Sequence, residues 1–219
     1  MAYAPENTLA SFNKAIELGV DAVEFDVQVC KSGELIVMHD DLVDRTTDGT
    51  GYVAELSLTE LKKLDAGKGQ KVLTAKEALD AIDRKTRVNI DLKGLGTAAP
   101  VMELIRDYVE NRGWQLPDFI VSSFDHRQIK QLHDLEPQLF LGTTLIGVPM
   151  DLAAFGEQAG ASFVMLHRET VAAPFVKDAK RRGLEVYVFT VDGEIQFAPL
   201  RGLGIDAVYS NAPDTVPRA

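Results

Sequence analysis

The segment DAVEFDVQVCKSGELIVMHDD, residues 21–41, decides how the rest of the chain is read. Its first half alternates. Glu24 and Asp26 fall two residues apart, so a strand would present their carboxylates side by side, while Val23, Phe25 and Val27 point the other way into an apolar layer. Lys31-Ser32-Gly33 predicts a turn, and residues 35–38 a returning strand that delivers His39 near the carboxylates. Two like charges held close together need a cation, a proton or a basic group between them. The pattern therefore points to a metal site, and the imidazole beside it to metal-assisted acid/base chemistry.

Working outward, Asn7 or Thr8 can cap a helix over residues 9–18 that Gly19 ends. Residues 41–69 are polar, glycine-containing and helical only near 58–64, an excursion from the main architecture; a short amphipathic helix follows at 74–82. Beyond it strands and helices alternate. RVNIDLK (87–93), FIVSSF (119–124), LFLGTTLI (139–146), SFVMLH (162–167), LEVYVFTV (184–191) and DAVYSN (206–211) read as strands, separated by helices near 101–111, 125–135, 152–159, 173–182 and 195–201. Such alternation implies βα units on a parallel sheet. With DAVEFDV the strands number seven, whereas a TIM (β/α)8 barrel has eight in roughly 250 residues. The helix at 9–18 has no strand before it, so the first barrel strand is the one expected to be absent from this chain. An open doubly wound sheet would normally carry a glycine-rich phosphate loop, and no GxGxxG or P-loop occurs. The expected fold is thus α/β, a single TIM-barrel domain over residues 1–219. Its strand ends carry Glu24, Asp26, Asp91, Lys93, Ser122, Ser123, His167, Thr190, Ser210 and Asn211, on the rim where barrel active sites form.

Composition narrows the partners. A formal charge of -10 over 219 residues argues against nucleic acid, whose binding rests on neutralising phosphates with Lys and Arg. Cys30 is the only cysteine, so there is no internal disulfide and no zinc-thiolate cluster. No apolar run approaches the ~20 residues of a membrane span, and no charged-then-apolar secretion signal begins at Met1. A cytoplasmic protein acting on a small molecule is the expectation.

The ordered segments YAPENT (3–8), EFDV (24–27), VMHDD (37–41), DRTTDGTG (44–51), NIDLK (89–93), VSSFD (121–125) and VYVFTV (186–191) resemble the glycerophosphodiester phosphodiesterases. The resemblance implies a TIM barrel with a small insertion after its second strand, about residues 41–70. It also implies hydrolysis of glycerophosphodiesters to glycerol 3-phosphate and an alcohol with a divalent cation, Mg2+ or Ca2+. By the same resemblance Glu24 and Asp26 are metal ligands, and Asp91 is the third, one methylene shorter than the glutamate usual in the family. Lys93 is the phosphate-facing lysine and His39 one of two catalytic histidines. The other, in a His-Arg-Gly motif at the end of the first strand, has no counterpart here, and a sequence that starts late is the expected cause. A chain with one proton-transfer partner would lose on the order of the 10²- to 10⁴-fold that acid/base catalysis contributes.

Blander readings stand beside these. Glu24 and Asp26 could form a solvated or lysine-paired strand face, His39 could cap its loop, and Lys93 could merely neutralise acids. His167 ends a strand and could line a substrate pocket or make a structural hydrogen bond; Glu6 could support substrate binding or cap a helix. His126 and His133 read as helix-end or surface residues, Cys30 as an inert thiol and Trp114 as loop packing. The competing functions are a non-catalytic glycerophosphodiester- or metal-binding protein on the same scaffold and a lyase that stops at a cyclic phosphate.

Overall fold

In the computed structural model, which describes residues 2–217, the first element is helix α1, Leu9–Glu17. Thr8 caps it reciprocally: its hydroxyl accepts from the Ser11 amide while Ser11 accepts from Thr8. Among the described residues no strand precedes α1. Gly19, at φ 70°, supplies the left-handed turn that releases the chain into β1, Ala22–Val29. Phe12 of α1 packs on Phe25 of β1 with ring centroids 5.7 Å apart. Val23, Phe25 and Val27 are buried, as the alternation requires.

The chain forms two compact units, Tyr3–Ile120 and the part from Val121 onward. In the first, β1 turns through Gly33 (φ +96°) into β2, Leu35–Val37, with Val27 opposite Val37. The polar excursion then builds around β2. It contains a 3-10 turn, Val53–Glu55, and a one-turn helix α2, Leu58–Leu61, whose apolar residues make a small core with Cys30, Ile36, Met38 and Val43. Strand β3, Leu73–Thr74, returns antiparallel to β2. Helix α3, Ala75–Ile82, leads to β4, Arg87–Leu92, which lies parallel to β1; helix α4, Ala98–Asn111, follows, and the chain passes into the second unit within strand β5, Phe119–Ser123. The sheet order here is β3-β2-β1-β4. Buried Tyr108 ties α4 to α3, donating to the Lys76 carbonyl or to Asp80 Oδ1, which lie 3.0 and 2.7 Å from its hydroxyl.

The second unit repeats the βα theme. Helix α5 (His126–Leu135) is followed by β6 (Phe140–Leu145), α6 (Ala154–Gln158), β7 (Phe163–His167), α7 (Ala173–Arg181), β8 (Glu185–Phe189), α8 (Glu194–Phe197) and β9 (Ala207–Val208). Strands β6-β7-β8-β9 are parallel neighbours. Gly142 is opposite Phe163, whose ring lies where a Cβ would stand, 2.0 Å away, so only glycine fits. Several elements are shorter than their sequence suggests, α6 and β9 among them. Leu152 adopts φ 53°, which keeps it out of α6. Ser210 and Asn211 leave the β9 direction to bond the Asp192 carboxylate.

His126 stacks on Phe155 and its Nε2 lies 3.0 Å from the Thr144 carbonyl oxygen, while the His133 ring packs against Gly160; both are partly buried packing residues. Trp114 stacks on Phe119 and meets Tyr108 edge-on. Among the described residues no helix is long and apolar enough to cross a membrane.

Because Phe25 is fully buried on the face of β1 opposite its acidic side chains, Phe25→Ala is expected to destabilise the protein by about 3–5 kcal/mol. Leu95→Ala, at an 82 % exposed position, should stay within roughly 0.5 kcal/mol. Urea unfolding of the two variants checks both.

Candidate active site

The register of β1 on β4 sets the geometry. Glu24 lies opposite Asn89 and Asp26 opposite Asp91, and partners in a parallel pair share a face. Lys93 continues that face two residues past Asp91, its amide bonded to the Val27 carbonyl. Glu24, Asp26 and Asp91 thus each bring a carboxylate oxygen within 4.8 Å of the others. Lys93 Nζ sits 2.7 Å from Asp91 Oδ2 and 3.3 Å from Asp26 Oδ1. Asp26 and Asp91 are buried, and Glu24 is half-buried.

The electrostatics follow from this crowding. Loss of water around its carboxyl, and then the neighbouring Asp26 and Asp91 charges, push Glu24 well above the usual carboxylate range; Lys93 opposes this and Glu6 adds to it. For Lys93, burial alone would lower the pKa, but Asp91 and Asp26 outweigh it and hold the ammonium protonated beyond the ordinary lysine range. Lys93 offsets one of three negative charges, and a divalent cation would offset the other two. Three carboxylates offer only oxygen, the donor set of hard cations such as Mg2+ and Ca2+. These residues fit such an ion, the shorter Asp91 included.

His39 is not one of that carboxylate group; it lies on the loop after β2, and its side chain is about half exposed. The Met38 amide bonds to the Asp26 carbonyl, which fixes the start of that loop against β1. His39 Nδ1 is 2.6 Å from Asp40 Oδ1. Arg45 then grips two carboxylates: Nε and Nη2 donate to Asp40, and Nη1 and Nη2 to Glu6. Asp40 is held well below the usual carboxylate range by its bonds from Arg45 and His39. Glu6 therefore faces Arg45 with both oxygens. Its neighbour Asn7, at φ 57°, donates from Nδ2 to Asp26 Oδ2 at 2.9 Å.

Gln28 is a residue that the sequence reading missed. It is buried, and its Nε2 lies 3.1, 3.3 and 2.6 Å from the backbone carbonyl oxygens of Met38, His39 and Asp40. The signal was available, because Gln28 continues the alternation of Glu24 and Asp26 on the same face of β1. His167 belongs to the second unit, at the end of β7. There its Nδ1 accepts from the Glu169 amide at 3.4 Å and its ring meets Phe189 edge-on.

The chain as a whole is similar to known proteins. The profile of the glycerophosphoryl diester phosphodiesterase family matches residues 1–215. The chain is 32% identical to the glycerophosphodiester phosphodiesterase of Caldanaerobacter subterraneus subsp. tengcongensis, over 97% of this chain and 90% of that one. It is 29% identical to the Bacillus subtilis enzyme of the same name, over 97% and 80%. Among solved structures, an Oleispira antarctica phosphodiesterase in complex with the product sn-glycerol-3-phosphate superposes with a TM-score of 0.88 at 30% identity, covering 97% of this chain and 90% of that one. The glycerophosphodiester phosphodiesterase from Agrobacterium tumefaciens does so with 0.82 at 27%, covering 98% and 94%. The fold class is the α/β TIM barrel, and the chain belongs to the glycerophosphoryl diester phosphodiesterase family of enzymes.

Proposed function

We propose that this chain hydrolyses glycerophosphodiesters to glycerol 3-phosphate and an alcohol, using a divalent cation, Mg2+ or Ca2+, held by Glu24, Asp26 and Asp91. The observation that carries the reading is the convergence of three carboxylates with one protonated lysine on one face of the β1–β4 pair. The Oleispira relative, bound to glycerol 3-phosphate, supports the substrate class. A bound cation supplies Lewis-acid stabilisation of charge on the phosphoryl oxygens. Lys93 adds a fixed positive charge to the same face, and preorganisation of that kind contributes without reorganisation during reaction. His39 moves a proton at the reacting oxygens: it takes one from the glycerol hydroxyl that attacks phosphorus or returns one to the departing alcohol. Asp40 on Nδ1 leaves Nε2 to face the substrate. A cyclic phosphate formed by that attack is opened by water. Glu6 and His167 are proposed to serve substrate binding, each within its own unit.

The decisive experiment measures glycerol 3-phosphate released from glycerophosphocholine by this chain with Mg2+ or Ca2+ and with EDTA. Product is expected with cation and none with EDTA. Tight cation binding without turnover would favour the non-catalytic reading, and accumulation of the cyclic phosphate the lyase. His39→Ala should lower kcat by roughly 10²- to 10⁴-fold while leaving cation affinity intact. Lys93→Met should cost about 10²-fold in turnover yet tighten cation binding, because it removes a like charge from the site.

Glu24 gives a pH signature. Its carboxyl is raised in the folded state, so its contribution to stability is full below the ordinary glutamate range and is lost as pH rises through the raised value. The cation-free protein should therefore lose stability over that rise, and Ca2+ should restore it. Calorimetry in two buffers of different ionisation enthalpy should show proton release on cation binding just below the raised value.

A further inference from the structure

Arg45 has no role in the chemistry set out above, yet its guanidinium is the most heavily engaged side chain near His39. Its planar fork uses three nitrogens on two carboxylates. Nε reaches Asp40 Oδ2 at 2.5 Å and Nη2 reaches Asp40 Oδ1 at 2.9 Å, while Nη1 and Nη2 reach Glu6 at 2.9 and 2.7 Å. Asp40 Oδ1 is shared between Arg45 and His39 Nδ1. Glu6 is well anchored, with 13 % side-chain exposure. It follows Pro5, whose carbonyl accepts from Thr8, the residue that caps α1. Asp40 and His39 are more exposed and sit at the start of the polar excursion. Gln28 holds the backbone of that loop, but nothing in its contacts fixes the imidazole.

From this we infer that Arg45 is a positioning residue for His39: it clamps Asp40 against the anchored Glu6, and Asp40 in turn holds the imidazole by Nδ1. An aspartate on one ring nitrogen orients a histidine for proton transfer from the other. An aspartate on an exposed loop does so only when its own rotamer is fixed, which the two-pronged contact provides. Glu6 and Asn7 are consecutive, so the same short segment steadies His39 through Arg45 and Asp26 through Asn7. Lysine would not substitute, since one ammonium cannot present two forks at once.

The inference rests on the proposed role of His39, and the test separates the two. The imidazole nitrogens of the chain's four histidines are followed by two-dimensional 1H–15N correlation, with His39 assigned by its loss in His39→Gln. Arg45→Gln and Arg45→Lys are both expected to move the His39 resonances toward those of a freely rotating imidazole, as Asp40→Asn does, while Mn2+ affinity stays that of the native chain. In turnover of glycerophosphocholine both variants should lose on the order of 10- to 100-fold in kcat, with KM changed by less than about twofold. Full activity and unchanged resonances in Arg45→Lys would overturn the inference. So would a rise in KM at constant kcat, which would make Arg45 a substrate contact instead. Should the native chain bind Mn2+ and not turn over, the hydrolase reading fails, and the resonance shifts alone still decide the role of Arg45. Retained Mn2+ affinity shows that each variant is folded.

Discussion

Lys93 Nζ touches Asp91 at 2.7 Å and Asp26 at 3.3 Å, and this buried contact joins the two strands that carry the acidic groups. Strand β1, with Glu24 and Asp26, could not bury its charges alone, because an unpaired carboxylate away from water is costly. The pairing demands one register of β1 on β4. A slip by one residue would turn Asp26 or Asp91 into the apolar layer occupied by Phe25 and Ile90. The apolar faces of the same strands enforce the same register from the other side. Packing and electrostatics therefore agree on a single alignment, which leaves the first unit with a dense negative face that one ammonium only partly offsets.

Around this centre the polar contacts fall into two sets. One is internal to the strands and rigid. The other runs through loops: Gln28 fastens the backbone beyond β2, and Arg45 fastens the side chains on it. The excursion has its own apolar core beneath these contacts, with Ile36, Met38 and Val43 at its centre. The loop bearing the His39 imidazole is thereby held by packing and by hydrogen bonds. The imidazole itself remains half exposed, as the proposed proton transfer requires.

The barrel class was legible in the sequence because βα alternation depends on period-two and period-3.6 patterns that local residues carry. The faces of β1 were legible for the same reason, and Thr8 announced the start of α1. What stayed hidden was of another kind. Gln28 followed the acidic alternation, but an amide advertises no chemistry, and its acceptors are carbonyls of a neighbouring loop. Glu6 could be read as a cap or a substrate group, whereas its partner Arg45 lies 39 residues away. A distant pairing of opposite charges leaves no periodic trace. The length of β9 was overread because Ser210 and Asn211 look like strand continuation until Asp192 is seen to claim them. In each case a specific side-chain contact overrode or supplemented local propensity.

The salt bridge from Arg45 to Glu6 also bears on how this scaffold could be rebuilt. The polar excursion has the look of a replaceable cassette, entered and left through the short antiparallel strands β2 and β3. Yet its arginine is answered by a glutamate outside it, ahead of the first helix. An exchange of residues 41–70 between homologues would carry the arginine and leave its counterion behind, so a chimera made at the obvious boundaries keeps the pair only where both parents carry both charges. The charged cluster is discontinuous in the chain, and its edges are drawn by charge, not by secondary structure.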